Sequence, residues 1–174
     1  MRGLFALLSL WAALAALGAP APKKPVYLGA KACGSCHGAA YAAWLKTKHA
    51  AAFDTLYHRE SWSIAKLSGI SAKPWESPIC LGCHATAADS EQWEVDETFR
   101  AIDGLQCEGC HGPGSDYADS EIMRNPKRAM AAGLVKPDQD HCEGCHIGKN
   151  SHDKALKVTP FRREEFWRKI VHPR

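Results

Sequence analysis

One pentapeptide pattern, repeated four times, limits what this chain can fold into. It reads Cys33-Gly34-Ser35-Cys36-His37, Cys80-Leu81-Gly82-Cys83-His84, Cys107-Glu108-Gly109-Cys110-His111 and Cys142-Glu143-Gly144-Cys145-His146. In C-x-x-C-H the two thiols are spaced to form thioethers with the vinyl carbons of a haem, and the next residue brings an imidazole under the iron. All eight cysteines belong to these motifs, so none is left for a disulfide or a reactive thiol. Two C-x-x-C pairs can also make a tetrahedral zinc site, but zinc does not ask for a histidine directly after each second cysteine. A thioredoxin-like pair would need one C-x-x-C at a strand end in a βαβ setting, not four in a loop-rich chain. The motifs therefore predict four covalently held haems c. Cys33, Cys36, Cys80, Cys83, Cys107, Cys110, Cys142 and Cys145 are the attachment points, and His37, His84, His111 and His146 the proximal ligands.

Four macrocycles in 174 residues leave little room for a conventional core. The expected fold is mainly α with long loops, the haems forming the core and the protein wrapped around them. The first residues read as a secretory signal over 1–18. Arg2 supplies the positive end, Leu4 to Leu17 the apolar run, and Ala16, Leu17, Gly18 a small-x-small cleavage site before Ala19. That run is shorter than the roughly 20 residues a membrane span needs, so no span is expected once the signal is removed. Residues 19–174 are then one tetrahaem domain, periplasmic or extracellular, because c-type haem is attached outside the bacterial inner membrane. Losing Arg2 lowers the formal charge of +3 by one, and haem propionates make the holoprotein slightly acidic, so nothing points to nucleic acid.

Along the chain, Ala19 to Pro25 reads as a flexible leader. Ala39 to Leu56 is rich in Ala, Leu and Lys and predicts one long helix, with Tyr41, Trp44, Leu45 and His49 on one side. Ser61 to Leu67 predicts a short helix, Ser71 to Ser77 a loop, and Trp93 to Phe99 a short strand. Gly112, Pro113 and Gly114 stop any helix after the third motif and let the backbone pass close to a haem face. Ser120 to Ala132 should be helical, divided at Pro126 and ended by Gly133. The last helix is signalled by Thr159 as N-cap, Pro160 at its first position, the pairs Glu164–Arg168 and Glu165–Lys169, and Pro173 as the stop.

Outside the motifs five histidines remain: His49, His58, His141, His152 and His172. A second imidazole closes an iron and suits it to electron transfer, and five candidates for four irons is the inventory of a carrier. On one continuous helix His49 would lie roughly 18 Å from His37, whereas two ligands of one iron approach within about 4 Å of each other. His49 should therefore serve a haem other than that of motif one. His141 precedes Cys142 directly and can reach only a neighbouring haem. The distal candidates are His49, His172, His152 and His141, in that order.

The run Tyr27-Leu-Gly-Ala-Lys-Ala-Cys33 through His37, followed by Trp44 and His49, resembles the cytochrome c-554 family of tetrahaem cytochromes. So does Gly104-Leu-Gln-Cys107 through His111-Gly-Pro-Gly114, and the resemblance spans Tyr27 to His172. It implies a mainly helical fold with closely stacked haems, and a carrier working between periplasmic redox proteins as donors and acceptors. It also implies His49 as distal ligand to a haem not its own, and His172 as another. Relatives often carry a histidine shortly after the Gly-Pro-Gly turn, where this chain has Tyr117, Glu121 and Met123. If His141 or His152 substitutes, all four irons are closed, the outcome favoured here; ligation by Met123 is an intermediate case, and otherwise an iron at motif two or three is open. The expectation is an electron-transfer protein and not an enzyme. Reduction of a small nitrogen oxide or peroxide at a five-coordinate haem, and self-association into an extracellular filament, are the alternatives.

Overall fold

The computed structural model describes residues 24–147, 150–156 and 161–172. The expected signal over 1–18, most of the leader, the cap at Thr159 and Pro160, and the stop at Pro173 lie outside the described residues. Among the described residues nine short α-helices are joined by loops and 3-10 turns. They are α1 (Ala30–Gly34), α2 (Gly38–Trp44), α3 (Arg59–Leu67), α4 (Pro78–His84), α5 (Glu108–His111), α6 (Ser120–Met123), α7 (Pro126–Ala131), α8 (Asn150–Leu156) and α9 (Arg163–Ile170). The mainly α class is as expected. The strand expected over Trp93 to Phe99 is reduced to a single parallel bridge between Tyr27 and Val95, following a 3-10 turn at Gln92–Glu94.

The long helix over Ala39 to Leu56 does not form. α2 ends at Trp44, and the chain turns before a 3-10 stretch at Asp54–Tyr57. Helix propensity is outbid here by one local and two long-range hydrogen bonds. Thr47 Oγ1 donates to the Trp44 carbonyl at 2.7 Å, and Trp44 Nε1 donates to the Leu105 carbonyl at 2.7 Å. The His49 carbonyl accepts from the Leu105 N–H at 2.9 Å. Gly104, at φ 74, makes that approach feasible: a Cβ there would stand 2.5 Å from the His49 carbonyl oxygen. The segment carrying His49 is thus held by the residues that lead into the third motif.

The breaks at Gly112, Pro126 and Gly133 act as read. Pro78, read only as loop, opens α4 after Ser77. Gly112 takes φ 78 and ends α5. Asp119 and Asn125 cap α6 and α7 with their side chains, on either side of the break before Pro126, and Gly133 follows at φ 104. α9 starts at Arg163 with Arg162 at its N-cap, later than the expected Thr159 cap and Pro160 start, and in it the Glu165–Lys169 pair forms at 2.7 Å. The apolar core is small. Phe53, Leu56 and Ala85 are its centre, with Trp75, Cys80, Leu81 and Ala88 against them.

Candidate haem sites

Each motif is wound as one helical turn. The N–H of His37, His111 and His146 closes on the carbonyl of its first cysteine at 2.9 Å, and the same residues of motif two lie within α4. Positions i, i+3 and i+4 share a helix face, so the turn brings two thiols and one imidazole to one side. None of the eight cysteines is in a disulfide. Among the described residues no group of three or more His, Cys, Asp or Glu side chains converges to hold an ion such as zinc.

Three motif imidazoles face another histidine. The ring centroids of His146 and His49 are 5.9 Å apart, those of His84 and His152 6.4 Å, and those of His111 and His172 6.1 Å. Two imidazoles bound to one metal through ring nitrogens at about 2.0 Å would hold their centroids about 6.2 Å apart. The chain's own side chains therefore fit a haem iron between the members of each pair. Apolar side chains flank the motifs as a macrocycle requires: Ile79 before Cys80 is 71% exposed, and Ile147 after His146 is 53% exposed.

The supporting contacts orient these rings. His84 Nδ1 lies 2.8 Å from the Ala52 carbonyl and 3.1 Å from Thr55 Oγ1, and His111 Nδ1 lies 2.9 Å from the Val135 carbonyl. A proton on Nδ1 donating to these carbonyls leaves Nε2 with its lone pair outward, the arrangement metal-ligating histidines use. His146 stacks on Phe161 at 4.5 Å, and Phe166 of α9 completes the packing. Burial holds the His49 and His146 imidazoles below their ordinary range, with the His146 ring adding to the effect on His49. Both are thus neutral, as a ligand must be.

His49 thus faces His146, although the continuous helix from which its separation from His37 was argued is absent. His152 faces His84 and His172 faces His111. His141 is turned instead to the main chain, its Nε2 3.2 Å from the Gly109 carbonyl. His58 is exposed at the start of α3. His37 is exposed at the junction of α1 and α2, and none of the other eight histidines, all among the described residues, is paired with it as these six are paired.

The motifs also touch one another. Cys33 of motif one lies near enough to Cys107 of motif three that this neighbour, with burial, pushes the Cys33 thiol up. Cys110 of motif three lies within electrostatic reach of Cys142 of motif four, and the Cys145 sulfur lies 3.9 Å from the Gly82 carbonyl of motif two. These contacts link motif one to three, three to four, and four to two.

Two residues that sequence reasoning passed over fasten the first of these junctions. Gln106 Oε1 accepts from the Ala30 N–H at 2.7 Å, its Nε2 donates to the Arg100 carbonyl, and its N–H donates to Thr86 Oγ1. Glu108, 2% exposed, accepts three backbone N–H groups: Leu28 at 2.8 Å and Gly114 at 2.7 Å on Oε1, and Gly29 at 2.7 Å on Oε2. The Gly-Pro-Gly turn therefore wraps a carboxyl group, and a Cβ on Gly114 would meet Glu108 Oε1 at 2.9 Å. Glu143 holds the same motif position but is exposed and pairs with Arg163. The motif letter alone gives no sign of which glutamate is buried.

Paired imidazoles on C-x-x-C-H turns, set in a helical chain with a small apolar core, define a c-type cytochrome with haem c as cofactor and other redox proteins as partners. The sequence model of the family described as cytochrome c554 and c-prime matches residues 32–112. Cytochrome c-554 of Nitrosomonas europaea is 30% identical to this chain, over 85% of the chain and 68% of that relative. The chain belongs to the cytochrome c-554 family. No solved structure matches it. Among the described residues no helix is long and apolar enough to cross a membrane.

Proposed function

We propose that the chain is an exported electron carrier with four haems c, one on each C-x-x-C-H turn, passing electrons between redox proteins outside the inner membrane. The observation that carries this reading is the spacing of the pairs His49–His146, His84–His152 and His111–His172, 5.9 to 6.4 Å between ring centroids. In this reading the eight cysteines form the thioethers, and His37, His84, His111 and His146 are proximal ligands. His152, His172 and His49 are the distal ligands at motifs two, three and four. His141 takes no iron, because its Nε2 serves Gly109. When bound, each haem supplies a one-electron couple at its iron.

The protein's own groups set the conditions for transfer. Ala52 and Val135 fix the His84 and His111 rings, so little reorganisation accompanies a change of charge. Burial keeps His49 and His146 unprotonated. The contacts between motifs support a route in the order one, three, four, two. Export rests on residues 1–18 acting as a cleaved signal, with the mature chain beginning near Ala19. Intact mass after acid–acetone extraction should exceed the mature polypeptide by four haem masses. A smaller excess would overturn the count, and a bare polypeptide mass the whole reading. His49→Ala should convert the iron of motif four from low to high spin in the EPR spectrum of the oxidised protein.

A further inference from the structure

We infer that Gln106 and Glu108 are positioning residues for electron transfer: reaching across to the backbone ahead of motif one, they set the placement of the first haem against the third. The inference rests on the reading that motifs one and three carry haems. α1, which holds Cys33, has five residues, and a helix that short is marginal by itself. Its N-cap is Gly29, which has no side chain to offer. The first N–H groups of a helix find no partner within it. Here they are taken by motif three. Glu108 accepts from Leu28 and Gly29, and Gln106 Oε1 from Ala30, all at 2.7 to 2.8 Å. The two acceptors flank Cys107, so each bond ties the start of α1 to an attachment point of the third haem.

Both side chains are also held on their other sides. Gln106 Nε2 donates to the Arg100 carbonyl at 2.8 Å, so turning the amide over would set a donor against the Ala30 N–H and an acceptor against that carbonyl. The Gln106 N–H donates to Thr86 Oγ1 at 2.8 Å, and the Thr86 N–H to the Gly104 carbonyl at 3.0 Å, which ties in the chain just past motif two. Glu108 Oε1 accepts further from Gly114 at 2.7 Å. Ala30, Thr86, Gln106 and Glu108 are all buried. Groups locked in this way hold a site to fractions of an ångström. Each acts through the backbone it holds, and transfer between haems falls steeply with the gap between their edges.

Soret circular dichroism of the oxidised holoprotein tests this, because haems held close at a fixed angle give a two-signed band whose size follows their geometry. The native protein should show that band. Glu108→Gln keeps an acceptor for Leu28 and Gly114 but turns a donor to Gly29, and should lose part of the amplitude. Glu108→Leu and Gln106→Leu should lose more, moving the spectrum toward that of Cys33→Ala/Cys36→Ala, which lacks attachment of the first haem. Internal electron redistribution after flash reduction should slow in the same order. A native band in all these position 106 and 108 variants, at four-haem mass, would overturn the inference and leave the carrier intact. Absence of haem from motif one or three of the native protein would instead remove the reading beneath it. Equal losses in Glu108→Gln and Glu108→Leu would mean that the carboxylate acts through its charge, and would overturn positioning. Ser61→Ala controls for loss of stability alone: the Ser61 hydroxyl donates to the Leu56 and His58 carbonyls at the start of α3, so the melting point should fall with the band unchanged. A band that shrinks as much there would reduce Gln106 and Glu108 to a structural role. If the leucine variants fail to accumulate, Glu108→Gln set against Ser61→Ala still decides.

Discussion

At Gly104 a single hydrogen in place of a methyl decides where an imidazole goes. The residue has φ 74, and an added Cβ would press on the His49 carbonyl at 2.5 Å, the Ala50 carbonyl at 3.0 Å and the Ala52 nitrogen at 3.2 Å. All three atoms are backbone and cannot swing aside. Gly104→Ala should cost about 1–3 kcal/mol in backbone strain and displace His49 from His146. The expected signature is a lower thermal midpoint together with one more high-spin iron in the EPR spectrum. Glu108 works differently, through the backbone hydrogen bonds it accepts. Glu108→Ala would strand the N–H groups of Leu28, Gly29 and Gly114, and each unsatisfied buried donor costs about 1–3 kcal/mol. The denaturation midpoint should fall by at least about 3 kcal/mol equivalent, with the denaturant slope unchanged.

Among the helices, α9 links two motifs. Phe166 packs toward His146, and His172, just beyond the helix, faces His111. Arg163 ties its first turn to Asp140 and Glu143 at motif four. These groups are largely exposed, so the tie is electrostatic and weak. Arg163→Ala should cost about 1 kcal/mol or less at low salt, and the difference from the native protein should vanish near 1 M salt, where screening reaches about 3 Å. Denaturation at both ionic strengths checks this. The sequence made such short elements readable wherever a local signal set the boundary. Pro126, Gly112 and Gly133 each mark a boundary that the structure keeps. Ala39 to Leu56 misled because its composition favours helix while its boundary is set by Leu105, far along the chain. The cysteines and motif imidazoles were legible for the same local reason, since C-x-x-C-H is one turn. Which spare histidine meets which motif was not, because each pairing depends on two distant segments converging. Glu108 was not, because burial leaves no mark on a single letter.

For the whole molecule, the hydrophobic residues buried among those described are few, and half of them are alanines. Side chains of that size release little free energy on burial, roughly 25 cal/mol for each Å² of apolar surface. A chain this thinly cored needs its prosthetic groups to fold cooperatively. The polypeptide made without haem attachment should therefore melt broadly, with no sharp transition by circular dichroism, while the loaded protein melts in one step. Two melts of equal sharpness would show that the protein core suffices.

The spatial order of the motifs has a consequence for how such a chain is made. The ring pairs join early segments to late ones: His49 waits for His146, His84 for His152, and His111 for His172. A chain delivered from its N-terminus thus carries its early attachment turns for much of its synthesis before the residues that close them arrive. On the proposed ligation, completing the last two pairs falls to His152 and His172, so ribosomes that stop after His146 would leave the motif two and motif three imidazoles without the rings that face them.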